Sequence, residues 1–320
     1  MTEGEMEVRV IRKVQEAEGI ASFYLASCDG SVLPSFSAGS HIDVHTPAGP
    51  VRQYSLCNSA QKRDHYQIAI LKDPQSRGGS VSMHEDIEAG SILRISTPRN
   101  HFPLMEVDGS PLLLAGGIGV TPILCMAERL SASDAMFEMH YFARSRSSMA
   151  FQDRIRSSGF ASQVQCHFDD EIESRIDLGS LLQSPAPGRR IYVCGPLGFL
   201  EAVRSMAVAS GWPNDQVHFE YFAAAPIEPG STSAFTVTLA SSGQVLDVPE
   251  DKSVADVLLD NGIDLPLSCE QGVCGTCVTR ILEGTPDHRD MYFSDEERAA
   301  DNQFTPCCSR AKTSNLLLDL

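Results

Sequence analysis

The sequence predicts a multi-domain protein in which an antiparallel β-barrel, a doubly wound α/β domain and a small α+β domain follow one another. Three observations support this prediction. The first part of the chain reads as short strands punctuated by Gly and Pro, and the middle part alternates short buried strands with helical periodicity. Near the other end, the segment CEQGVCGTC holds three cysteines. A chain of 320 residues is long enough for two or three domains.

The predicted barrel covers residues 1–105. The segments MEVRVIRKV and HYQIAILKD alternate in polarity or run apolar, and SAGSHIDVHTPAGP between them is rich in turn residues. In VRQYS, Arg52 offers a bidentate fork to a phosphate, while Tyr54 can pack against a ring system that Ser55 hydrogen-bonds. The segment RGGSVS adds a second cradle for an anion. Each motif alone is typical of a surface turn, but the two together predict a flavin phosphate site.

The predicted α/β domain covers residues 106–225. The segment LLLAGGIGVTP is a strand that runs into glycines and then a helix, a geometry that aims the free N–H groups of the helix at a pyrophosphate. It is not the G-x-G-x-x-G dinucleotide fingerprint. A second glycine turn, YVCGPLGFL, places Cys194 at the carboxyl end of a strand, where open α/β sheets bind ligands. A structural role as a buried cysteine is the alternative for Cys194.

Residues 226–233 form the predicted linker, because AAAPIEPGSTS is rich in Ala, Pro, Gly and Ser and lacks periodicity. Residues 234–320 form the third predicted domain. They carry 15 Asp and Glu against 6 Lys and Arg, a net charge of −9, which serves either solubility or docking on a basic protein surface. The formal net charge of the whole chain is −17, which argues against nucleic acid as a partner.

The cysteine segment has the spacing C-x4-C-x2-C, and two candidates for a further ligand, Cys307 and Cys308, lie downstream. With Cys307 the pattern has the plant-type spacing of a [2Fe–2S] cluster, C-x4-C-x2-C-x29-C. Gly272 and Gly275 allow close backbone approach because no Cβ intervenes. A structural zinc site is the alternative, although zinc ribbons usually pair two short C-x2-C knuckles. The predicted metal ligands are Cys269, Cys274, Cys277 and Cys307.

The cellular location is predicted from two features. No apolar run is long enough to span a membrane, and MTEGEMEVRV has none of the marks of a signal peptide. We therefore expect a cytoplasmic monomer without a membrane partner, in which the ten cysteines are reduced ligands or buried side chains.

Four motifs stand in order along the chain: R-x-Y-S, G-G-x-G-x-T-P, Y-x-C-G-P and the cysteine pattern. Over nearly the whole chain this order resembles the phthalate dioxygenase reductase family, the reductases of Rieske-type aromatic oxygenases. The resemblance implies a flavin-binding β-barrel of the ferredoxin-reductase type, an NAD-binding α/β domain and a plant-type [2Fe–2S] ferredoxin domain. The C-terminal position of the ferredoxin domain distinguishes this family, because related reductases place that domain first in the chain.

The resemblance also implies the residues of the sites. The residues that would hold FMN are Arg52, Gln53, Tyr54, Ser55, Ile68, Ala69, Ile70, Gly78, Gly79 and Ser80. Those that would hold NADH are Gly116, Gly117, Gly119, Thr121, Pro122, Cys194, Gly195 and Pro196. Thr121 and Phe222 would approach the flavin ring, and with Cys194 they form the expected catalytic set. The family motif A-x-K reads Ala69-Ile70-Leu71 here, so Lys72 is assigned no role.

The implied activity passes a hydride from NADH to FMN and then single electrons through the cluster to a separate oxygenase or O-demethylase. The chain has no C-x-H pair of the Rieske kind and no evident 2-His-1-carboxylate set, so we do not expect it to activate oxygen itself. One alternative is a reductase for another acceptor, such as a carnitine-type monooxygenase, a cytochrome or a flavodiiron protein. An alternative of another class is a ferredoxin-like electron carrier without reductase activity.

Two choices of cofactor remain open to test. FMN is expected over FAD, because Arg52 can end the site at a phosphate and no further aromatic platform for an adenine is evident. NADH is expected over NADPH on the resemblance. Arg144 and Arg146, which follow the strand MHYFA, could instead attract a 2′-phosphate.

Overall fold

The computed structural model describes residues 4–73, 78–105, 109–183, 185, 188–222 and 233–320. These residues form four sheets, and the chain divides into two units, Met1–Glu220 and Tyr221–Leu320. The first unit holds the seven-stranded sheet and one five-stranded sheet, and the second unit holds the cysteine domain. The predicted linker lies outside the described residues except for Ser233, so the domain boundaries stay a prediction.

The first sheet is an antiparallel barrel. Its strands run in the order β4-β3-β6-β1-β2-β5, with β7 paired to β3. Leu56, just after β4, bridges Ile68 in β5, so the two outer strands of this order also meet. The elements are β1 (Glu5–Ala17), β2 (Ile20–Ser27), β3 (Ser40–His45), β4 (Val51–Ser55), β5 (Tyr66–Leu71), α1 (Gly79–Asp86), β6 (Ile92–Ser96) and β7 (Arg99–Asn100).

The barrel interior is filled by alternate side chains of its strands. Val8 and Val10 of β1 and Ile42 and Val44 of β3 are fully buried, whereas Glu7 and Arg9 of β1 are exposed. This period of two is the pattern of a strand with one face on a core. The predicted barrel is therefore confirmed.

The second sheet is parallel throughout and has the order β10-β9-β8-β11-β12. Helices follow its strands along the chain, which is the doubly wound pattern predicted. All five strands end at the same edge, which we call the carboxyl edge. The elements are β8 (Leu112–Gly116), α2 (Val120–Ser131), β9 (Glu138–Ala143), α3 (Gln152–Arg156), β10 (Val164–Phe168), α4 (Leu178–Leu181), β11 (Ile191–Cys194), α5 (Leu197–Ala209) and β12 (Val217–Glu220).

The second unit is the predicted α+β domain. Its main sheet has the order β14-β13-β19-β15-β17, in which β13 and β19 are parallel and the other pairs antiparallel. A further pair, β16 and β18, stands apart. The elements are β13 (Phe235–Leu239), β14 (Val245–Val248), α6 (Val254–Asp260), β15 (Thr279–Glu283), β16 (Pro286–Asp287), α7 (Asp295–Ala299), β17 (Gln303–Phe304), β18 (Arg310–Ala311) and β19 (Asn315–Leu318).

The beginnings of α6 and α7, in the second unit, are explained by their capping residues. Ser253 caps α6 in a reciprocal capping box with Asp256, and the apolar face of this helix packs on the sheet. Ser294 caps α7 in the same way with Glu297. Within the described part of the chain, no helix is long and apolar enough to cross a bilayer.

Candidate functional site

The four predicted thiols of the cysteine domain form two contacting pairs. The thiol of Cys269 donates a hydrogen bond to Cys274, and the thiol of Cys307 interacts as a donor with Cys277 and with Cys308. A [2Fe–2S] cluster has four cysteine ligands on two irons, so two pairs of thiols fit it. A single zinc ion needs its donors around one point, and among the described residues no three His, Cys, Asp or Glu side chains are grouped in that way.

The hydrogen bonds prepare these thiols as metal ligands. The bond from Cys269 lowers the pKa of Cys274 to about 5. The bond with Cys307 lowers the pKa of Cys277 in the same direction. Backbone N–H groups add to this effect, since Thr276 donates to Cys274 Sγ at 3.5 Å. One thiol of each pair is therefore stabilised as the thiolate, which is the form that binds metal.

Cys307 and Cys308 have different surroundings. Cys307 contacts Cys277 and packs against the apolar core of the domain. The sulfur of Cys308 lies 3.3 Å from the hydroxyl of Thr305, and a Cβ added at Gly272 would lie 2.4 Å from it. The choice of Cys307 as the fourth ligand stays a prediction.

The glycines of the cysteine loop serve packing against neighbouring side chains. Gly272 and Gly275 have φ of +70° and +71°, in the left-handed region that favours glycine. A Cβ at Gly275 would lie 2.2 Å from the ring of Tyr292. In this structure Cys308 lies against Gly272 and Tyr292 lies against Gly275, and the expected approach of the loop backbone to a cluster stays a prediction.

A buried carboxylate, Asp290, holds the surroundings of this loop and was not found from the sequence. Its Oδ2 accepts hydrogen bonds from the backbone N–H groups of Tyr292 at 3.1 Å and Phe293 at 2.9 Å. Its Oδ1 accepts one from Ser309 at 3.4 Å, in the segment that follows the cysteine pair. The neighbouring Met291 donates from its N–H to the Gly272 carbonyl. In the sequence Asp290 is simply one carboxylate of the segment DHRD, and no motif or residue spacing indicates its role.

At the carboxyl edge of the second sheet, the two predicted glycine turns are in contact. A Cβ at Gly119 would lie 2.3 Å from the carbonyl oxygen of Cys194, and one at Gly195 would lie 3.0 Å from the Cα of Gly116. A Cβ at Gly116 would meet Pro196 at 2.9 Å. The structure therefore brings these predicted nucleotide residues together, although they come from strands β8 and β11.

The first turn of α2 completes this edge. Gly117–Gly119 form a short 3₁₀ turn, and Thr121 donates its hydroxyl to the Ile118 carbonyl at 3.1 Å, which fixes the turn. Pro122 lies in the first turn of α2, where its missing N–H costs no hydrogen bond. The approach of Thr121 to a flavin ring stays a prediction.

A carboxyl group that the sequence reasoning missed links the barrel to this edge. Oε2 of Glu220, the last residue of β12, lies 3.4 Å from the hydroxyl of Ser55 and 3.9 Å from the thiol of Cys194, and both donate to it. Burial raises the pKa of Glu220 to about 8, and burial also raises the pKa of the Cys194 thiol. Ser55 and Cys194, both predicted, are thus joined by a third group. Phe222 falls in the second unit, so its place beside a flavin stays a prediction.

The pKa of Glu220 makes stability depend on pH. With a pKa of about 8 in the folded state against an ordinary 4.5, the folded chain keeps a proton that the unfolded chain has lost. We expect the free energy of unfolding to fall as pH rises between these values, by at most about 1.4 kcal/mol per pH unit. Glu220→Gln should flatten this slope, while Glu201→Gln on α5 should keep it. Urea unfolding between pH 5 and pH 8 measures both, and an unchanged slope in the first variant would contradict the assignment.

The flavin motifs meet on the barrel surface. The Arg52 side chain is buried, and its Cγ would lie 3.1 Å from a Cβ at Gly79. Gly78, with φ of +89°, precedes α1, whose first N–H groups are therefore close to Arg52. An arginine beside a helix N-terminus fits a phosphate group. Arg77 lies outside the described residues.

The other flavin residues have structural partners in the barrel. Gln53 donates to Asp43 at 3.0 Å, and the Ser80 hydroxyl accepts from the N–H of Asp73 at 3.1 Å. Tyr54 packs partly against the barrel core, and Ile68, Ala69 and Ile70 are buried in β5. Lys72 forms an ion pair with Glu85 at 2.8 Å, and its having no flavin role stays a prediction.

Comparison with known proteins places this arrangement among characterised ones. The family model described as 2Fe-2S iron-sulfur cluster binding domain matches residues 237–312. The vanillate O-demethylase oxidoreductase of Pseudomonas putida is 53% identical over 97% of this chain and 98% of its own.

Two solved structures are similar over the same length of this chain. That of phthalate dioxygenase reductase, described as a modular structure for electron transfer from pyridine nucleotides to [2Fe–2S], has a TM-score of 0.81 and 38% identity, covering 99% of this chain and 98% of its own. An intact type IV self-sufficient cytochrome P450 monooxygenase has the same TM-score and identity, and the match covers 41% of that longer chain.

Proposed function

The chain belongs to the phthalate dioxygenase reductase family. On that premise we propose which of its residues bind each cofactor of an oxygenase reductase. The protein is an oxidoreductase that moves electrons from a pyridine nucleotide through a flavin and a [2Fe–2S] cluster to an oxygenase. The predicted fold class of flavin barrel, NAD domain and ferredoxin domain is confirmed. We propose the predicted boundaries, 1–105, 106–225, 226–233 and 234–320, for the three domains and their linker.

The observation that carries the proposal is the carboxyl group of Glu220. It contacts Ser55 of the barrel motif and Cys194 of the nucleotide edge, so the two sites meet at one group. A bound flavin accepts a hydride, two electrons at once, and can release them singly. At pH 7 Glu220 keeps its proton, because its pKa is about 8. It is therefore an uncharged hydrogen-bonding group at the junction, with Cys194 excluding water beside it.

The phosphate and the pyrophosphate are held by separate parts of the first unit. Arg52 and the first turn of α1 would hold the FMN phosphate through charge and N–H groups. The contacting turns that contain Gly119 and Cys194 would hold the pyrophosphate of NADH against the start of α2. Because Arg52 can end the flavin site at a single phosphate, FMN is favoured over FAD. In the second unit, the thiol pairs of Cys269 with Cys274 and Cys277 with Cys307 would hold the cluster.

The proposed partner is the oxygenase component of an aromatic oxygenase or O-demethylase, in aromatic catabolism. The relatives are named as reductase parts of such systems. We further propose a cytoplasmic monomer without a nucleic-acid or membrane partner. A cytochrome acceptor is the second candidate, because a similar module is part of a self-sufficient cytochrome P450 chain.

An anaerobic titration of the purified holoprotein tests the function. NADH should reduce the absorbance of both the flavin and the cluster, and acid-released flavin should match FMN standards. Reduction of the vanillate O-demethylase oxygenase component, followed by its product, tests the partner. Absence of flavin would favour the alternative of a simple electron carrier. One equivalent of FAD would contradict the FMN assignment, and faster reduction of a cytochrome than of the oxygenase would favour the second candidate.

The acidic surface of the ferredoxin domain gives a prediction about docking. Asp295 and Glu296 are exposed in the first turn of α7, which begins two residues after Phe293, and Glu270 lies in the cysteine loop. Charge steering raises association rates by roughly 10-fold or more and fades as salt shortens the Debye length to about 3 Å at 1 M. We expect oxygenase-coupled NADH oxidation to fall steeply up to about 0.5 M salt, and ferricyanide reduction to change much less.

Matched variants separate docking from solubility. Asp295→Asn with Glu296→Gln should weaken the salt dependence of the coupled reaction. Asp247→Asn removes an exposed charge from β14, at the sheet edge opposite β15 and β17, which lead to the cysteines. It should leave the salt dependence unchanged. Equal salt responses of the coupled and ferricyanide reactions would leave solubility as the role of the charge.

A further inference from the structure

An ion pair at the carboxyl edge of the second sheet has no part in the function proposed so far. Arg146 follows β9 and Glu171 follows β10, two strands that are neighbours in the sheet. The guanidinium donates to the carboxylate through two bonds, Nε to Oε1 at 2.6 Å and Nη2 to Oε2 at 2.8 Å. The same guanidinium lies over the ring of Phe168 at 4.5 Å. Arg146 is therefore held in one place by a fork-to-fork contact and a ring.

The position of this ion pair in the fold suggests a role in dinucleotide recognition. In doubly wound sheets, the residues after the strand next to the pyrophosphate turn read the adenosine ribose. An acidic group there binds a free 2′-hydroxyl, whereas an arginine accommodates a 2′-phosphate. Here β8 carries the pyrophosphate turn, and β9 is its neighbour on the chain and in the sheet. Arg146 thus stands where an arginine would select the phosphorylated dinucleotide.

Glu171 changes what that arginine can do. Its carboxylate already occupies two of the five N–H groups of the guanidinium, so a phosphate would compete with it for that fork or bind beside a like charge. Asp170 directly precedes it and also acts electrostatically on Arg146, so a 2′-phosphate entering here would meet a second acidic side chain. Repulsion of one ligand by like charge is an effective source of selectivity.

We propose that Glu171 is a specificity-determining residue that selects NADH over NADPH by occupying Arg146. The proposal rests on the proposed function only in taking this edge as the dinucleotide site. Arg146 then does not bind a 2′-phosphate while it is paired with Glu171, and it can bind one when that carboxylate is removed. Arg144, which is exposed nearby, has no ion pair recorded among the described residues and is left unchanged in the test.

Glu171→Gln tests this arrangement. The ratio of kcat/KM for NADPH to that for NADH should rise about 10-fold, which is the size of one hydrogen bond between charged groups. The gain should vanish in the double variant Glu171→Gln/Arg146→Gln. Asp153→Asn removes a more exposed ion pair with Arg156 on α3 and should leave the ratio unchanged. Wild-type protein should use NADH more efficiently than NADPH.

Calorimetric titration with 2′,5′-ADP and 5′-AMP tests the same site without turnover. Glu171→Gln should tighten binding of 2′,5′-ADP about 10-fold and leave 5′-AMP nearly unchanged. An unchanged affinity, a gain that persists without Arg146, or a wild type that prefers NADPH would overturn the proposal. A wild type that oxidises neither dinucleotide would refute the proposed function, and the titration would still decide the role of Glu171.

Discussion

Cys307→Ser is expected to abolish the [2Fe–2S] cluster, whereas Cys308→Ser should retain it. Cys307 is paired with Cys277 and is packed against the core, so its loss leaves one iron with a single cysteine ligand. Cys308 contacts Cys307, but its sulfur lies 3.3 Å from the Thr305 hydroxyl and against Gly272, and it is not one of the four predicted ligands. Iron content, visible absorbance and the low-temperature electron paramagnetic resonance of the reduced protein measure the outcome.

Cys269→Ser provides the matched positive control, because it breaks the other thiol pair. It should lose the cluster as completely as Cys307→Ser does. Flavin content and NADH-dependent ferricyanide reduction should persist in both, since the flavin and nucleotide residues lie in the first unit. Loss of the cluster in Cys308→Ser with retention in Cys307→Ser would reverse the assignment of the fourth ligand.

Gly119→Ala is expected to reduce NADH oxidation by more than about 100-fold, because misplacement by 1 Å at a reacting centre costs on that order. The added Cβ would lie 2.3 Å from the Cys194 carbonyl oxygen, so the two glycine turns must separate. The backbone angle of Gly119 is ordinary, with φ of −61°, and the effect is therefore one of space. Overpacking of this kind also costs about 1–3 kcal/mol of stability.

Gly198→Ala is the matched control for that variant. Gly198 lies in the first turn of α5, and an added Cβ would meet no atom within 4 Å. It should keep wild-type activity and a wild-type melting temperature or better, because Ala favours helix over Gly. Steady-state NADH–ferricyanide kinetics and thermal unfolding measure both variants. Wild-type kinetics in Gly119→Ala would show that the contact between the turns is not required.

Short-range patterns were sufficient for much of the fold and of the site. The spacing of the cysteines and the strand-to-glycine-to-helix turns are local features, because a ligand loop or a phosphate turn is built from adjacent residues. The strands and helices that carry them were likewise readable, from LLLA as β8 to SVADVLLDNG as α6. The burial of β8 on every residue is typical of a parallel strand in the centre of a sheet.

The groups that sequence reasoning missed depend on long-range contacts. Glu220 acquires its raised pKa from burial beside Ser55, which comes from a distant strand of the barrel. Glu171 faces Arg146 only because β9 and β10 pair in parallel. Asp290 has its effect through backbone N–H groups, which no side-chain pattern reports. In each case the residue type is ordinary, and its chemistry is created by the register of the fold.

The place of β19 in its sheet has a consequence for the order in which the second unit folds. This strand lies between β13 and β15, and it pairs Thr236 with Asn315 across most of the domain sequence. Such a pairing requires a long loop to close, and the entropy lost in closing it precedes the stabilising contacts, so the pairing forms slowly. The cysteine loop lies within that long loop. Cys269 and Cys274 can meet locally, but Cys307 is brought to Cys277 by the long-range pairing of β15 with β17, which continues the sheet from β19. We therefore expect cluster insertion to follow the closure of the sheet.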